Sequence, residues 1–162
     1  REHLTRKYGA GAGGGSGARE RLVALGDSLG YHFDYFEGLR MVNTFRAHQL
    51  LHWAWEHGLQ TELKLALFEA CFSNRGNVND VDLLTATAGG VGLDAAEAAA
   101  VLADERYAQA VRGEQRTWLE REVYAVPTFF FQGQYPVPGA QEAETFVRML
   151  RKIRARGERA AS

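Results

Sequence analysis

The segment from Ala125 to Tyr135 places the strongest constraint on how this 162-residue chain folds. It contains three consecutive phenylalanines, Phe129–Phe131, followed by a turn residue, Gly133. Successive side chains of a β-strand point to opposite faces, so this strand is apolar on both faces and needs cover on both. A two-stranded hairpin is marginal in water by itself. We therefore expect an upstream segment, or a second copy of the chain, to pair with this strand.

A valine–proline step, Val126-Pro127, opens this strand. Proline has no backbone N–H and belongs at the beginning or the edge of a strand. A cis bond before proline costs only about 0.5–1 kcal/mol relative to trans. A cis bond here would leave the backbone N–H and C=O of Val126 free to pair with an extended peptide. Spacing alone favours the alternative, an ordinary trans proline that caps a core hairpin.

The rest of the chain is predicted to be helical. Residues 9–17 are almost entirely Gly, Ala and Ser, which indicates a flexible linker without the Lys-Ser/Thr of a phosphate-binding loop. Ser16 caps a helix with a leucine stripe at positions 22, 25 and 29, and residues 31–36 form a short strand or an extended link. Capping residues and apolar periodicity predict further helices from Asn43 to His57, Gln60 to Ser73, Asp80 to Gly90, Asp94 to Asp104, Glu105 to Glu122 (with Trp118 inward) and Gln141 to Arg156.

Two features resemble reactive sites. His48 and His52 lie one helical turn apart, which is the spacing of two metal ligands on a helix. Gln49 stands where an acid would accompany them, so we expect hydrogen-bonded histidines and no metal site. Cys71 falls on the apolar stripe of its helix, where a free cysteine behaves as a small hydrophobe of the core.

Composition excludes several function classes. The formal net charge is −1, which offers no long-range field for nucleic acid or an acidic membrane. No apolar run approaches the roughly 18 residues of a membrane-spanning helix. One cysteine cannot form an internal disulfide, which favours a reducing compartment, and we expect a cytoplasmic protein.

Several motifs together resemble one protein family. The stretch Asn43–Ala54 resembles the helical-insertion motif of the FrnE-like branch of the DsbA family. Val126-Pro127-Thr128-Phe129, with Gly133, Tyr135 and Gln141 after it, resembles the cis-proline hairpin of that family, and residues 1–9 resemble the segment after its first βαβ unit. The similarity runs over nearly the whole chain. It departs at the redox centre, because this sequence has no Cys-x-x-Cys.

The resemblance implies an α/β fold of the thioredoxin-like, DsbA-like type with a large all-helical insertion, incomplete at the N-terminus. The expected divisions are a remnant and linker at 1–36, the helical insertion at 37–123, the hairpin and helix of the thioredoxin fold at 124–157, and a tail at 158–162. The missing strand partner of the hairpin and the missing Cys-x-x-Cys both indicate a fragment of a longer protein. An exchange of strands between two copies, giving a homodimer, is the alternative.

The implied function is that of a thiol–disulfide oxidoreductase or isomerase acting on a protein or peptide thiol or disulfide, without a cofactor. The resemblance implies that Val126, Pro127 and Thr128 bind the substrate. It also implies that Asn43, Thr44 and His48 form one wall of the cleft. It places no catalytic residue in this chain, which we expect to be inactive in dithiol exchange. Two alternatives stay open: a glutathione-dependent transferase or isomerase of the kappa or 2-hydroxychromene-2-carboxylate isomerase type, and a non-catalytic peptide-binding module.

Overall fold

The structure, a computed structural model, describes residues 16–35 and 42–160. The predictions for the glycine-rich linker before Ser16, for Phe36 and for the last two residues lie outside these ranges. The chain divides into two compact units, Arg1–Val111 and Arg112–Ser162. The division falls inside a helix. The predicted division between the insertion and the hairpin, at residues 123 and 124, stays a prediction.

The described elements follow in chain order. The first unit contains helices α1 (Ser16–Ser28), α2 (Phe45–Glu56), α3 (Gln60–Phe68), a π-helical turn (Glu69–Ser73), α4 (Val81–Gly90) and α5 (Ala95–Asp104). Helix α6 (Ala108–Glu120) runs from the first unit into the second, which also contains β1 (Thr128–Phe131), β2 (Tyr135–Pro138) and α7 (Ala143–Ala160). No helix in the described ranges is both long and apolar enough to cross a membrane.

The core of the first unit lies between four helices. Helix α2 packs against α3 and α5, and α4 packs against α3 and α5. Their fully buried apolar side chains include Leu50, Leu63, Leu84 and Val101. Each comes from a different helix at a position that the apolar periodicity places on its inner face, so the predicted helical block is confirmed.

Capping residues set several helix ends. Asp80 accepts a hydrogen bond from the backbone N–H of Leu83, and Asp94 accepts bonds from the N–H groups of Ala96 and Glu97, as their N-cap positions predict. The predicted cap at Asn43 is wrong by one residue. Thr44 is the N-cap of α2 without a side-chain bond, while Asn43 Oδ1 accepts from the N–H of Phe45.

The predicted helix from Glu105 to Glu122 is too long at its beginning. Glu105 adopts φ of +52°, a left-handed conformation that a helix cannot continue through, and α6 begins only at Ala108. Trp118 is also not fully inward, since 45% of it is exposed. Glycine is the residue that usually adopts this conformation, and because a glutamate stands at position 105 the sequence does not mark the break.

Helix α1 carries its leucines outward rather than into a core. Leu22, Leu25 and Leu29 are all exposed, so their helical spacing does not identify a buried face. The helix ends in a tight approach at Gly26, where a Cβ atom would lie 2.5 Å from the carbonyl oxygen of Tyr31. The segment that follows is the predicted extended link and forms no strand up to Tyr35.

This extended link is attached to the π-helical turn. The backbone N–H of Asp34 donates to the carbonyl of Phe72, and Ser73 Oγ donates to the carbonyl of His32. The guanidinium of Arg75 forms two hydrogen bonds with the carboxylate of Asp34, and this contact lowers the pKa of Asp34. These bonds replace the strand ladder that the alternation of residues 31–36 suggested.

The described part of the second unit is built on an antiparallel hairpin and one long helix. Phe129 pairs with Val137, and Phe131 pairs with Tyr135. Phe129 and Phe131 both contact the ring of Phe146 on α7, at centroid distances of 4.9 and 6.0 Å. Phe130 points to the other face and contacts Trp118 at 5.7 Å. The strand therefore has an apolar contact on each face, as its three phenylalanines predict.

Candidate functional site

The loop before β1 is held from both ends by hydrogen bonds. Thr128 Oγ1 donates to the carbonyl of Ala125 over 2.6 Å, and the backbone N–H of Gly139 donates to the carbonyl of Pro127 over 2.7 Å. The peptide bond between Val126 and Pro127 is cis. Pro127 has no backbone N–H of its own to donate. The first hydrogen bond attaches the loop to the carbonyl before it, and the second attaches it to Gly139 after the end of β2.

Val126 is the most exposed apolar residue of this loop. Its exposed fraction is 91%, far above that of neighbouring apolar residues such as Phe129 at 41%. Its backbone N–H and C=O form no hydrogen bond with any residue in the described ranges. A loop that is held by hydrogen bonds and has a free backbone donor and acceptor is suited to pairing with an extended peptide.

The two strands of the hairpin differ in what their outer edges can bind. Pro136 and Pro138 stand on β2, and neither has a backbone N–H. Pro136 is paired with Phe130 and Pro138 with Thr128, and these pairs alternate with the pairs formed by Val137 and Tyr135. The backbone nitrogens of the two prolines, which carry no hydrogen, therefore point away from β1. Prolines of this kind mark a terminal edge strand. The outer edge of β1, directly after the Val126 loop, is consequently the edge of this hairpin that can accept another strand.

The three residues predicted to form a cleft wall lie at the beginning of α2 in the first unit. Asn43, Thr44 and His48 are all exposed. Thr44 and His48 line a cavity of about 130 Å³, and Asn43 does not. The structure thus brings two of the three to one concave surface, whereas Val126, Pro127 and Thr128 are adjacent in the second unit.

The two histidines of the helical pair, His48 and His52, both lie on α2. His52 contacts the ring of Tyr107, with 5.1 Å between the ring centroids. A group of three or more His, Cys, Asp or Glu side chains that could hold a metal ion does not occur among the residues the structure describes.

Cys71 occupies a less buried place than its position on the apolar stripe predicts. It lies in the π-helical turn Glu69–Ser73, is partly buried, and packs against the edge of the core. Burial raises the pKa of its thiol, which makes it a weak nucleophile at neutral pH. The side chain also lines the cavity beside Thr44 and His48.

Sequence reasoning missed this cavity and the place of Lys64 in its lining. The cavity is formed by side chains of α2, α3 and the π-helical turn together with Thr44 and Val78. One pattern in the sequence could have indicated it. A lysine stands among apolar residues on two adjacent faces of one helix: Leu63, Lys64, Leu67, Phe68, Cys71 and Phe72. The π-helical turn shifts the direction of the side chains after Phe68, and nothing in the sequence marks it.

Comparison with protein families gives one match that covers most of the chain. A family model described as a DSBA-like thioredoxin domain matches residues 16–151. This range contains the whole helical block, the Val126 loop, the hairpin and half of α7.

Individual relatives agree with this match. The chain is 31% identical over 130 residues to the Bacillus subtilis (strain 168) protein YwbO, whose function is uncharacterized, and the match covers 80% of this chain and 64% of YwbO. The structure is similar to the crystal structure of a probable DsbA oxidoreductase from Streptomyces coelicolor, with a TM-score of 0.75 and 34% sequence identity, over 92% of this chain and 64% of that one. The chain therefore spans 64% of the length of each of these two proteins.

Proposed function

Because this chain belongs to the family of DSBA-like thioredoxin domains, we propose that it provides the substrate-binding loop and the helical unit of a protein thiol–disulfide oxidoreductase. Family membership and the predicted fold class, thioredoxin-like with a helical insertion, are confirmed. The FrnE-like subgroup remains a prediction.

The observation that carries the proposal is the state of Val126. Its side chain is almost fully exposed, and its backbone is free of hydrogen bonds within the described chain, on a loop fixed by Thr128 and Gly139. A substrate polypeptide can add to such a backbone as an extended segment, with main-chain hydrogen bonds supplying affinity for many sequences. This is the property that an enzyme acting on varied disulfide-containing polypeptides needs.

The chemistry itself requires thiols that this sequence lacks. Disulfide exchange proceeds by attack of a thiolate on a disulfide sulfur, which forms a mixed disulfide and releases the other sulfur as a thiolate. A second thiolate of the enzyme then attacks the mixed disulfide, releases the reduced substrate and leaves the enzyme disulfide. The 162 residues contain one cysteine, Cys71, so these residues alone do not supply the two thiols of the cycle, and the proposal gives them the binding part of the reaction.

The experiment uses the natural gene product that contains this sequence and measures the reduction of insulin disulfides with dithiothreitol as the electron donor. We expect catalysis, and we expect Val126→Asp to lower kcat/KM by about tenfold, which corresponds to about 1.4 kcal/mol. The reason is that a carboxylate on this loop must lose water when a substrate chain covers it.

Val147→Asp is the matched control, since Val147 is an exposed valine of α7 outside the loop. It receives the same charge and should keep kcat/KM within about twofold of the parent protein, because an exposed charge that no substrate chain covers retains its water. The proposal would be overturned if the natural gene product had no disulfide exchange activity, or if the two variants lost the same factor in kcat/KM.

A further inference from the structure

The cavity in the first unit has the size of one apolar side chain. Its volume is about 130 Å³, and an apolar cavity of about 150 Å³ is large enough to bind benzene. The innermost lining residues, Ala47, Leu67 and Val78, are at most 6% exposed. The floor is therefore apolar and closely packed, which suits a hydrocarbon group and disfavours a hydrated ion.

Aromatic rings form one side of the cavity. Phe68 and Phe72 are both in the lining, and their ring centroids lie 5.8 Å apart. Phe72 is supported in turn by Phe33 of the extended link at 5.9 Å. An aromatic guest can make edge-to-face contacts with such rings in addition to burying its area.

The mouth of the cavity carries a positive charge. Lys64 is exposed, and its Nζ lies 6.0 Å from the centroid of the Phe68 ring. Lys64 has no carboxylate within ion-pair distance among the described residues, and none of the described residues lining the cavity is acidic. A guest that brings a carboxylate to the mouth would be electrostatically complementary.

We propose that this cavity binds an aromatic side chain of a substrate polypeptide, with an acidic residue beside it that contacts Lys64. The choice of a polypeptide rests on the proposed function, since such an enzyme must hold a chain. The aromatic residue follows from the volume and the ring wall, and the acidic neighbour follows from the charge of Lys64. The cavity thus adds sequence preference, whereas main-chain pairing at the Val126 loop is independent of sequence.

Cys71 provides a direct reporter of occupancy. It is the one cysteine of the sequence and it lines the cavity, so a bound ring covers its thiol. The experiment measures the rate at which iodoacetamide alkylates the 162-residue chain, with the peptide acetyl-Phe-Glu-amide as the probe. Only the unoccupied fraction reacts, so we expect alkylation to slow by about tenfold at a peptide concentration ten times the Kd.

Peptide and protein controls separate the two parts of the proposal. Acetyl-Ala-Glu-amide lacks the ring and should give no protection, and acetyl-Phe-Lys-amide lacks the acid and should protect only at higher concentration. Lys64→Glu should reverse the preference between the Glu and Lys peptides. Lys152→Glu, the same exchange at an exposed lysine of α7, should leave it unchanged. Lys64→Gln, in which the preference should disappear, covers the case in which charge reversal disturbs folding.

Two outcomes would overturn the proposal. One is equal alkylation rates with and without the Phe-Glu peptide. The other is protection by phenylacetate at the same concentrations as the peptide, which would assign the cavity to small aromatic acids. Neither readout requires redox activity. If the peptide protects Cys71 but the natural gene product does not reduce insulin, the proposed function alone is refuted. If the natural gene product reduces insulin but the peptide does not protect Cys71, the cavity proposal alone is refuted.

Discussion

Thr128 shows how one hydroxyl shapes the candidate site. Its Oγ1 donates to the carbonyl of Ala125, which lies on the other side of the exposed Val126 and Pro127. The loop is short and has no side-chain packing at Val126 to hold it. This hydrogen bond and the one from Gly139 to Pro127 are therefore the main restraints on the free backbone of Val126.

Thr128→Val tests this restraint. The exchange keeps the shape of the side chain but leaves the Ala125 carbonyl without its partner, and we expect the free energy of unfolding to fall by about 0.5–1.5 kcal/mol. Urea denaturation followed by tryptophan fluorescence measures it. Thr117→Val is the control, because its hydroxyl donates to a helical carbonyl, that of Gly113, and should cost less. An equal or larger loss in the control would contradict the role given to Thr128.

Tyr107 gives a second residue-scale prediction, through pH. Its hydroxyl donates to Glu56 Oε2 over 2.6 Å, and burial, followed by this bond to a carboxylate, raises its pKa to about 12. The unfolded tyrosine titrates near pH 10. Because the pKa is higher in the folded state, the stabilisation is complete below about pH 10 and is lost as the pH rises towards 12.

Tyr107→Phe should therefore be less stable than the parent chain at pH 7, by about 1 kcal/mol. The difference between the two proteins should shrink between about pH 10 and 12, where only the parent can lose this proton. Urea midpoints measured across this range test it, with Tyr124→Phe, at an exposed tyrosine, as the control. A difference that stays constant up to pH 12 would show that the bond to Glu56 does not stabilise the fold.

At the scale of elements, the end of α1 depends on a missing side chain. A Cβ atom on Gly26 would lie 2.5 Å from the Tyr31 carbonyl oxygen and 2.6 Å from Cδ2 of Phe33. The chain turns back on the helix at this point and places the extended link against it. Helix α1 and the link are thus joined by a close backbone approach that only glycine permits.

Gly26→Ala should destabilise the first unit by about 1–3 kcal/mol, because the backbone of the link must move to make room. Gly113→Ala is the matched control. Gly113 is also within a helix, and nothing lies within 4 Å of its added Cβ, so this variant should gain about 0.5–1 kcal/mol from better helix propensity. Thermal unfolding of both variants measures the difference, and a stabilised Gly26→Ala chain would refute the close approach.

At the scale of the whole molecule, the chain combines a helical unit with a well-formed core and a second unit whose described sheet has two strands. Phe129–Phe131 are apolar on both faces, and β2 ends the sheet with its two prolines. Among the described residues the outer edge of β1 has no partner strand, and this edge is suited to a further strand.

The whole-molecule prediction concerns the thiols. Alkylation of the reduced, denatured 162-residue chain should add one label, on Cys71, and the folded chain should not reduce insulin above the dithiothreitol background. One thiol cannot form the internal disulfide that ends the catalytic cycle. A Cys-x-x-Cys thioredoxin serves as the positive control, and catalytic turnover by this chain would contradict the mechanism.

The sequence by itself determined the helical block, the hairpin and the Val126 loop. These depend on local chemistry: the apolar periodicity within each helix, to which Leu50, Leu63 and Leu84 belong in turn, the caps at Asp80 and Asp94, and the Val-Pro step before three phenylalanines. Only the tertiary structure decided that Leu22, Leu25 and Leu29 are exposed, that Glu105 breaks a helix, and that Lys64 and Cys71 meet at one cavity. A periodic pattern gives a helix a face but not its neighbour, and a cavity exists only where several elements fail to fill the space between them.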